Sequence, residues 1–294
     1  MVVNETAAVL EKLSAAIGLE YVLTDESDRE FYAMDVYNFR HLPVAVVQPG
    51  TVQEIQEIAR IATESNLALV PRGGGASYTD AYLPNREDSL LIDTGRLKHI
   101  VEINAEDMYV TVEPGVTWAE LTDALAEQGL RTPFWGPFSG LKATVGGSTS
   151  QNSVSLGSGT YGISADSILS FQIVLANGEI LRTGSDAIAN GQPFFRWYGP
   201  DMTGLFTGDA GALGIKAAIT LRLIRRPAQT MACSFGFETF DTMAAGMIAA
   251  AREGVASNNF GLDPKLQQGQ LGSTSTTDAF NAAWAVYKTA RNPF

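Results

Sequence analysis

A buried strand, a helix and a second strand lead straight into three consecutive glycines, and that unit limits the fold more than any other stretch. Val44-Ala45-Val46-Val47 reads as the first strand, closed by Pro49-Gly50. Thr51 and Glu54 have capping-box spacing, and Ile55, Ile58, Ala59 and Ala62 fall on one helical face. Leu67-Ala68-Leu69-Val70 is the second strand. A strand, helix and strand this close predict parallel pairing with a right-handed crossover. Pro71-Arg72-Gly73-Gly74-Gly75-Ala76-Ser77 follows at once.

Further strands are expected at Leu90-Leu91-Ile92 and Tyr109-Val110-Thr111-Val112. Thr117 and Glu120 repeat the capping-box spacing, Trp118, Leu121 and Leu125 line the helix they open, and Gly129 ends it. Residues 136–165 are rich in Gly, Ser and Thr, a long irregular segment inside an ordered chain. Phe171–Leu175 and Glu179-Ile180-Leu181 flank Ala176-Asn177-Gly178, a hairpin signal. A second glycine-rich run, Thr207 to Ile215, leads into Ile219, Leu221 and Leu223, which alternate as a strand does. Arg225-Arg226-Pro227 breaks the pattern, and a domain boundary is expected near 228. A short strand (Ala232 to Phe237), a helix (about Asp241 to Arg252) and a last helix (about Asp278 to Arg291) are expected beyond it.

The net charge of −12 argues against a nucleic-acid partner, because phosphate binding wants a basic face. The single cysteine, Cys233, allows no disulfide within the chain and reads as a small core residue. His41 and His99 have no ligand-like partner at short spacing, so no metal site is expected, and both read as surface or capping residues. The first residues lack a basic head and a long apolar run, and no stretch approaches the roughly 18 apolar residues of a membrane span. A cytoplasmic location is the expectation.

Two segments carry candidate chemistry. Three glycines after a strand let the backbone turn sharply and aim several N–H groups at one point, which suits a diphosphate. By itself such a run is as often a mobile loop. It is neither a P-loop nor a G-x-G-x-x-G turn. The second segment, Thr144 to Ser153 with Gly157 to Gly162, offers hydroxyls and amides that could line a polar heterocycle; a flexible linker is the alternative on composition. Asp166 reads as a residue that holds this loop rather than a base. Trp135, Phe134 and Phe138 read equally as a wall near a ligand or as packing.

In order and spacing these motifs resemble the vanillyl-alcohol oxidase / p-cresol methylhydroxylase flavoproteins. The quoted elements are Pro71 to Gly75, Val112 to Val116, Thr144 to Gly147, Tyr161-Gly162 ahead of Asp166, Val174 to Gly178 and Gly211 to Ile215. Within that family the chain is most similar to the glycolate oxidase and D-lactate dehydrogenase type and to alkyl-dihydroxyacetonephosphate synthase. The resemblance covers roughly residues 40–227. It implies an α+β fold: a two-lobed FAD-binding domain of the p-cresol methylhydroxylase type over 1–228, with lobes about 40–105 and 106–228. The beginning of an incomplete cap domain would follow over 229–294.

The resemblance also implies roles. Arg72, Gly73, Gly74, Gly75, Ala76 and Ser77 fall where the family cradles the FAD diphosphate. Thr144, Gly146, Gly147, Ser148, Ser150, Asn152 and Ser153 fall on the stretch lining diphosphate and isoalloxazine. Tyr161, Gly162 and Ile163 sit on the loop that follows, and Gly214 and Ile215 match an element that meets the adenosine half. Ala76 stands where Thr is common, or His in members that attach flavin covalently, so non-covalent FAD is expected. Ser148 stands where the glycolate oxidase type often has Asn.

The implied function is an FAD-dependent oxidoreductase acting on CH–OH, oxidising a small alcohol or 2-hydroxy acid by hydride transfer to flavin N5. No base can be named. The alternatives are an FAD-binding subunit or fragment that needs a partner or C-terminal cap for activity, and a flavin-dependent synthase of the alkyl-dihydroxyacetonephosphate type. The expected ligand is a small-molecule substrate.

Overall fold

The computed structural model describes residues 3–35, 37–254 and 256–263. The chain divides into two compact units, Met1–Pro227 and Ala228–Phe294. In the first unit the opening elements are helix α1 (Val3–Ile17), strand β1 (Val22–Leu23), helix α2 (Glu26–Tyr32), strand β2 (Ala45–Val47), helix α3 (Val52–Glu64), strand β3 (Ala68–Arg72) and strand β4 (Ser89–Asp93). They build a four-stranded sheet of order β1-β2-β4-β3. Strands β2 and β3 are parallel, as the helical crossover requires, yet they do not touch. β4 lies between them and pairs in parallel with both. The later strand fills the gap because every residue from Ser89 to Ile92 is buried, and only a central place covers both faces.

The second sheet is antiparallel throughout. Its members are β5 (Ile100–Asn104), β6 (Tyr109–Val112), β8 (Ile168–Val174), β9 (Ile180–Arg182) and β10 (Ile215–Arg222), in the order β5-β6-β10-β8-β9. Between β6 and β8 come helix α4 (Trp118–Ala126), strand β7 (Leu130–Arg131) and the short helices α5 (Val145–Ser150) and α6 (Ser158–Tyr161). Helix α7 (Met202–Leu205) precedes β10, and β11 (Ile224–Arg225) pairs with β7. Residues 100–104, inside the first lobe of about 40–105 expected from the resemblance, pair with β6, so the second sheet begins at Ile100.

Helix α3 holds the two sheets together. Its buried side chains Ile55, Ile58, Ala59 and Ala62 share one core with Val9 and Leu13 of α1, Leu90 and Ile92 of β4, and Val174, Ile215 and Ala217 of the second sheet. Each fully buried isoleucine contributes about 1.5–3 kcal/mol. Gln56 Nε2 donates to the Gly178 carbonyl at 2.7 Å, reaching the 175–179 turn. The Thr51 cap is half a capping box: Thr51 Oγ1 accepts from Glu54 N at 3.1 Å, while the Glu54 carboxylate accepts from Gly50 N at 2.7 Å. At Thr117 both halves form.

A second core lies between the antiparallel sheet and α4, built from Trp118, Leu121, Leu125, Phe134, Phe171, Ile219 and Leu221 among others. β10 serves both cores. A bulge between Lys216 and Ala218 shifts its register against β8, so Ile215 and Ala217 face α3 while Ile219 and Leu221 face α4. In the hairpin after β8 only Gly178 is left-handed (φ 78), so one glycine closes the turn.

In the second unit, helix α8 (Phe240–Glu253) opens on a Thr239–Thr242 capping box and ends at left-handed Gly254 (φ 64). The strand expected over 232–237 is absent: the segment is exposed at every position and pairs with no strand among the described residues. Cys233 is exposed, not a core residue. The helix expected over 278–291 lies outside the described residues. Among those residues no helix is long and apolar enough to cross a membrane.

Candidate cofactor-binding site

The glycine run leaves the end of β3, and its backbone donors have no protein acceptor. Among the described residues, none of the N–H groups of Gly74, Gly75, Ala76 or Ser77 donates a hydrogen bond within the protein. Side chains hold the loop from outside. The Tyr82 hydroxyl donates to the carbonyls of Gly75 (3.1 Å) and Ser77 (2.7 Å). Thr79 Oγ1 donates to Gln151 Oε1 at 3.0 Å, linking the loop to the end of α5. Two of the carbonyls are thus engaged while these four amides are free, an arrangement suited to an anion.

The glycines serve packing as well as approach. A Cβ on Gly73 would collide with Thr144 Oγ1, and one on Gly74 with the Lys142 carbonyl oxygen. Gly75 is left-handed (φ 62), and its Cβ would meet the Arg72 guanidinium at 2.6 Å. A Cβ on Gly146 would lie 2.6 Å from the Pro114 side chain, whereas Gly147 would meet only Thr144 Oγ1, at 3.2 Å. Close contact between loop and α5 explains small residues on both sides.

Arg72 does not reach toward an anion. Its Nη1 donates to the carbonyls of Tyr32 (2.8 Å) and Met34 (3.2 Å) at the end of α2, and its guanidinium lies 4.7 Å from the Tyr82 ring and 5.1 Å from the Tyr32 ring. Burial pushes it down from an ordinary arginine. The residue is a post under the loop, tying α2 to β3.

These residues border a cleft of about 720 Å³. Of the residues singled out by sequence, Arg72 to Ser77, Thr144, Gly146, Gly147, Ser148, Ser150, Asn152, Ser153, Gly214 and Ile215 all line it. Tyr161, Gly162 and Ile163 stand outside. Their loop is pinned by Asp166, whose Oδ2 accepts from Ile163 N at 2.9 Å. It buttresses the lining from behind: Ser164 Oγ donates to the Ser148 carbonyl at 3.2 Å, and Ala165 N to Asn152 Oδ1 at 3.2 Å. Asn152 takes a left-handed conformation (φ 49). Phe134 and Trp135 are buried packing, while Phe138 is on the cleft and exposed. His41 and His99 are exposed.

Sequence reasoning gave no role to the lining residues Thr94, Ala210 and Lys216, and quoted Pro114, Gln151 and Gly211 only as members of motifs. Lys216 is the notable omission. Its Nζ sits 2.6 Å from Asp209 Oδ1, with 3% and 2% of the two side chains exposed. A charge inside the apolar run Ile215 to Leu221 was the available signal.

The cleft's lining is uneven in exposure. Thr94, Gly211, Ile215 and Lys216 make up a buried part of the wall. Tyr78 and Phe138, each 64% exposed, and Val154, 73% exposed, make up an open part.

A family model described as an FAD binding domain matches residues 43–184. The fold matches crystalline p-cresol methylhydroxylase with a TM-score of 0.69 and 25% identity, over 78% of this chain and 45% of that one. The chain carries the FAD-binding domain of the p-cresol methylhydroxylase flavoprotein family. The glycolate oxidase subunit GlcD of Bacillus subtilis is 31% identical over 81% of this chain and 49% of its own length. The mitochondrial cytochrome-type D-lactate dehydrogenase of Arabidopsis thaliana is 31% identical over 79% of this chain and 40% of its own length. The chain therefore spans about half or less of these relatives. FAD is the cofactor of this two-lobed domain. The cleft fits it: free loop amides suit the diphosphate, and glycine walls admit close approach.

Proposed function

We propose that this chain is the cofactor-binding part of an FAD-dependent oxidoreductase that oxidises a small alcohol or 2-hydroxy acid. The observation that carries the reading is the run of unpaired amides from Gly74 to Ser77 facing a cleft walled by glycine. Bound there, FAD supplies the hydride acceptor, flavin N5. The protein's part is to hold, orient and expose it. Gly74 to Ser77 take the diphosphate through backbone N–H groups. Thr144, Gly146, Gly147, Ser148, Ser150, Asn152 and Ser153 form the facing wall, with Asn152 and Ser148 steadied by the 161–166 loop. Tyr161, Gly162 and Ile163 act through that support rather than by touching the cofactor. Gly214 and Ile215 stand at the buried wall.

A substrate must reach the redox ring, so the ring belongs at the open wall of Tyr78, Phe138 and Val154. The adenosine half then belongs at the buried wall. Ala76 on the loop, and the lack of His and Cys among the described lining residues, support non-covalent attachment. We assign residues 1–228 to the FAD-binding domain and 229–294 to the start of a cap.

One observation favours the second reading, a module that needs a partner or further chain for turnover. The described lining residues include no carboxylate and no imidazole to accept the substrate's hydroxyl proton.

The test is reconstitution of the purified chain with FAD, then anaerobic mixing with glycolate, D-lactate and a long-chain 2-hydroxy acid. Flavin binding with slow bleaching is expected of the chain alone. Rapid bleaching would show that the proton acceptor is already present. Failure to bind FAD would overturn the cleft assignment.

A further inference from the structure

We infer that Lys216, anchored by Asp209, recognises the adenosine half of the cofactor and so makes the site selective for FAD over FMN. The inference rests on the cleft being the FAD site with its adenosine end at the buried wall.

Lys216 is an unusual residue for its place. Every other position of β10 from Ile215 to Leu221 carries an apolar side chain or Thr220, and all are buried. Taking an ammonium and a carboxylate out of water is costly, and an apolar pair of similar size usually serves a core better. The pair is also incompletely satisfied. Asp209 Oδ1 accepts from Lys216 Nζ (2.6 Å) and from Gly211 N (3.0 Å), while Asp209 Oδ2 is buried with no hydrogen-bond partner. The Lys216 ammonium has three N–H donors. Among the described residues its one hydrogen bond is to Asp209, and the Phe171 ring lies 5.6 Å away. Spare donors thus sit at the wall of a cleft, on a side chain that is almost wholly buried.

The chemistry narrows the ligand. Asp209 neutralises Lys216, so this wall offers directed hydrogen-bond donors with little net charge. That suits the ring nitrogens of adenine or the ribose oxygens better than another phosphate. The diphosphate already has the free amides of Gly74 to Ser77. Gly211 and Gly214 beside Lys216 let this wall pack closely on the protein behind it: a Cβ on Gly211 would strike the Pro71 side chain, and one on Gly214 would strike Ile173. FMN has no group to reach this wall. Asp209 is a positioning residue, acting only through Lys216.

The experiment uses the full chain in apo form, titrated separately with FAD and FMN by quenching of flavin fluorescence. Lys216→Met should weaken FAD at least tenfold and leave FMN affinity unchanged, so the ratio of the two affinities falls. Asp209→Asn should lower the same ratio by releasing the anchor. A double variant, Lys216→Met with Asp209→Leu, removes the pair without stranding a buried charge and covers the case in which a single variant does not fold. It should show the same lowered ratio. Equal weakening of FAD and FMN, or an unchanged ratio in a folded variant, would overturn the inference. A parent chain that binds neither flavin would overturn the cleft assignment and this inference with it.

Discussion

The indole Nε1–H of Trp118 donates to the Ser148 hydroxyl at 2.7 Å, a buried bond joining α4 to α5 at the cleft wall. The Trp118 ring also meets Phe134 edge-on, 5.1 Å between centroids. Trp118→Phe keeps most of that packing and removes the donor. Leaving a buried acceptor unpaired costs about 1–3 kcal/mol. Denaturant titration should show a lower midpoint with an unchanged slope. FAD affinity should fall a few-fold as Ser148 loses its fixed orientation.

Two glycines on facing sides of the cleft should behave differently. Gly74→Ala places a Cβ on the Lys142 carbonyl oxygen, so backbone must move, and both the apo unfolding midpoint and FAD binding should drop. At Gly147 the new Cβ meets only Thr144 Oγ1, at 3.2 Å. Gly147→Ala should therefore leave apo stability near the parent's and weaken FAD through the methyl group presented to the cleft. Thermal unfolding of both apo proteins, beside flavin titration, separates the cases. Equal stability loss in the two variants would count against the geometry.

Arg72→Lys should be a severe change despite keeping the charge. The guanidinium holds two carbonyls and stacks between aromatic rings, and an ammonium does not reproduce that planar fork. Hydrogen bonds of charged groups contribute about 1.5–3 kcal/mol. Amide exchange should quicken in α2 and at Arg40, whose N–H donates to the Ala33 carbonyl at 3.0 Å.

Tyr32 links stability to alkaline pH. Burial first, and then the neighbouring Asp93 carboxylate, push its hydroxyl from 10.0 to about 12. A raised folded value means the stabilisation is complete below pH 10 and is lost as pH rises through about 12. The hydroxyl donates to Asp93 Oδ2 at 2.8 Å and accepts from Gln48 Nε2 at 3.1 Å. Tyr32→Phe should be less stable than the parent at neutral pH, and the two unfolding free energies should converge over that alkaline window. Parallel curves across the window would refute the assignment.

Attachment of the flavin is checked by acid precipitation. With Ala76 on the loop and no His or Cys among the described lining residues, the yellow colour should stay in the supernatant, as FAD. Colour held in the pellet would mean a covalent bond.

The βαβ unit, the capping residues and the cleft-lining glycines could be read from sequence because each depends on local chemistry. Thr117 and Glu120 need only their spacing, and Gly73 to Gly75 announce a turn wherever they occur. What escaped depends on contacts distant in sequence. Nothing near Ser89 says that β4 will sit between β2 and β3. Nothing near Ile100 says that β5 will pair with β6. Arg72 fell within the stretch that the family resemblance gives to the diphosphate, and only the position of the carbonyls at the end of α2 shows what it binds. Tyr161 to Ile163 matched the family motif, yet a residue can hold a cleft in shape without facing it.

Because β10 completes both cores, the dinucleotide pocket is a late product of synthesis. A nascent chain ending before Ile215 lacks the strand that fills the space against α3 and the wall carrying Lys216. The glycine loop would exist by then without an opposing surface. Cofactor capture thus waits on the arrival of that one strand. A ribosome-stalled series lengthened until residues 215–222 clear the exit tunnel should gain flavin in a single step rather than gradually.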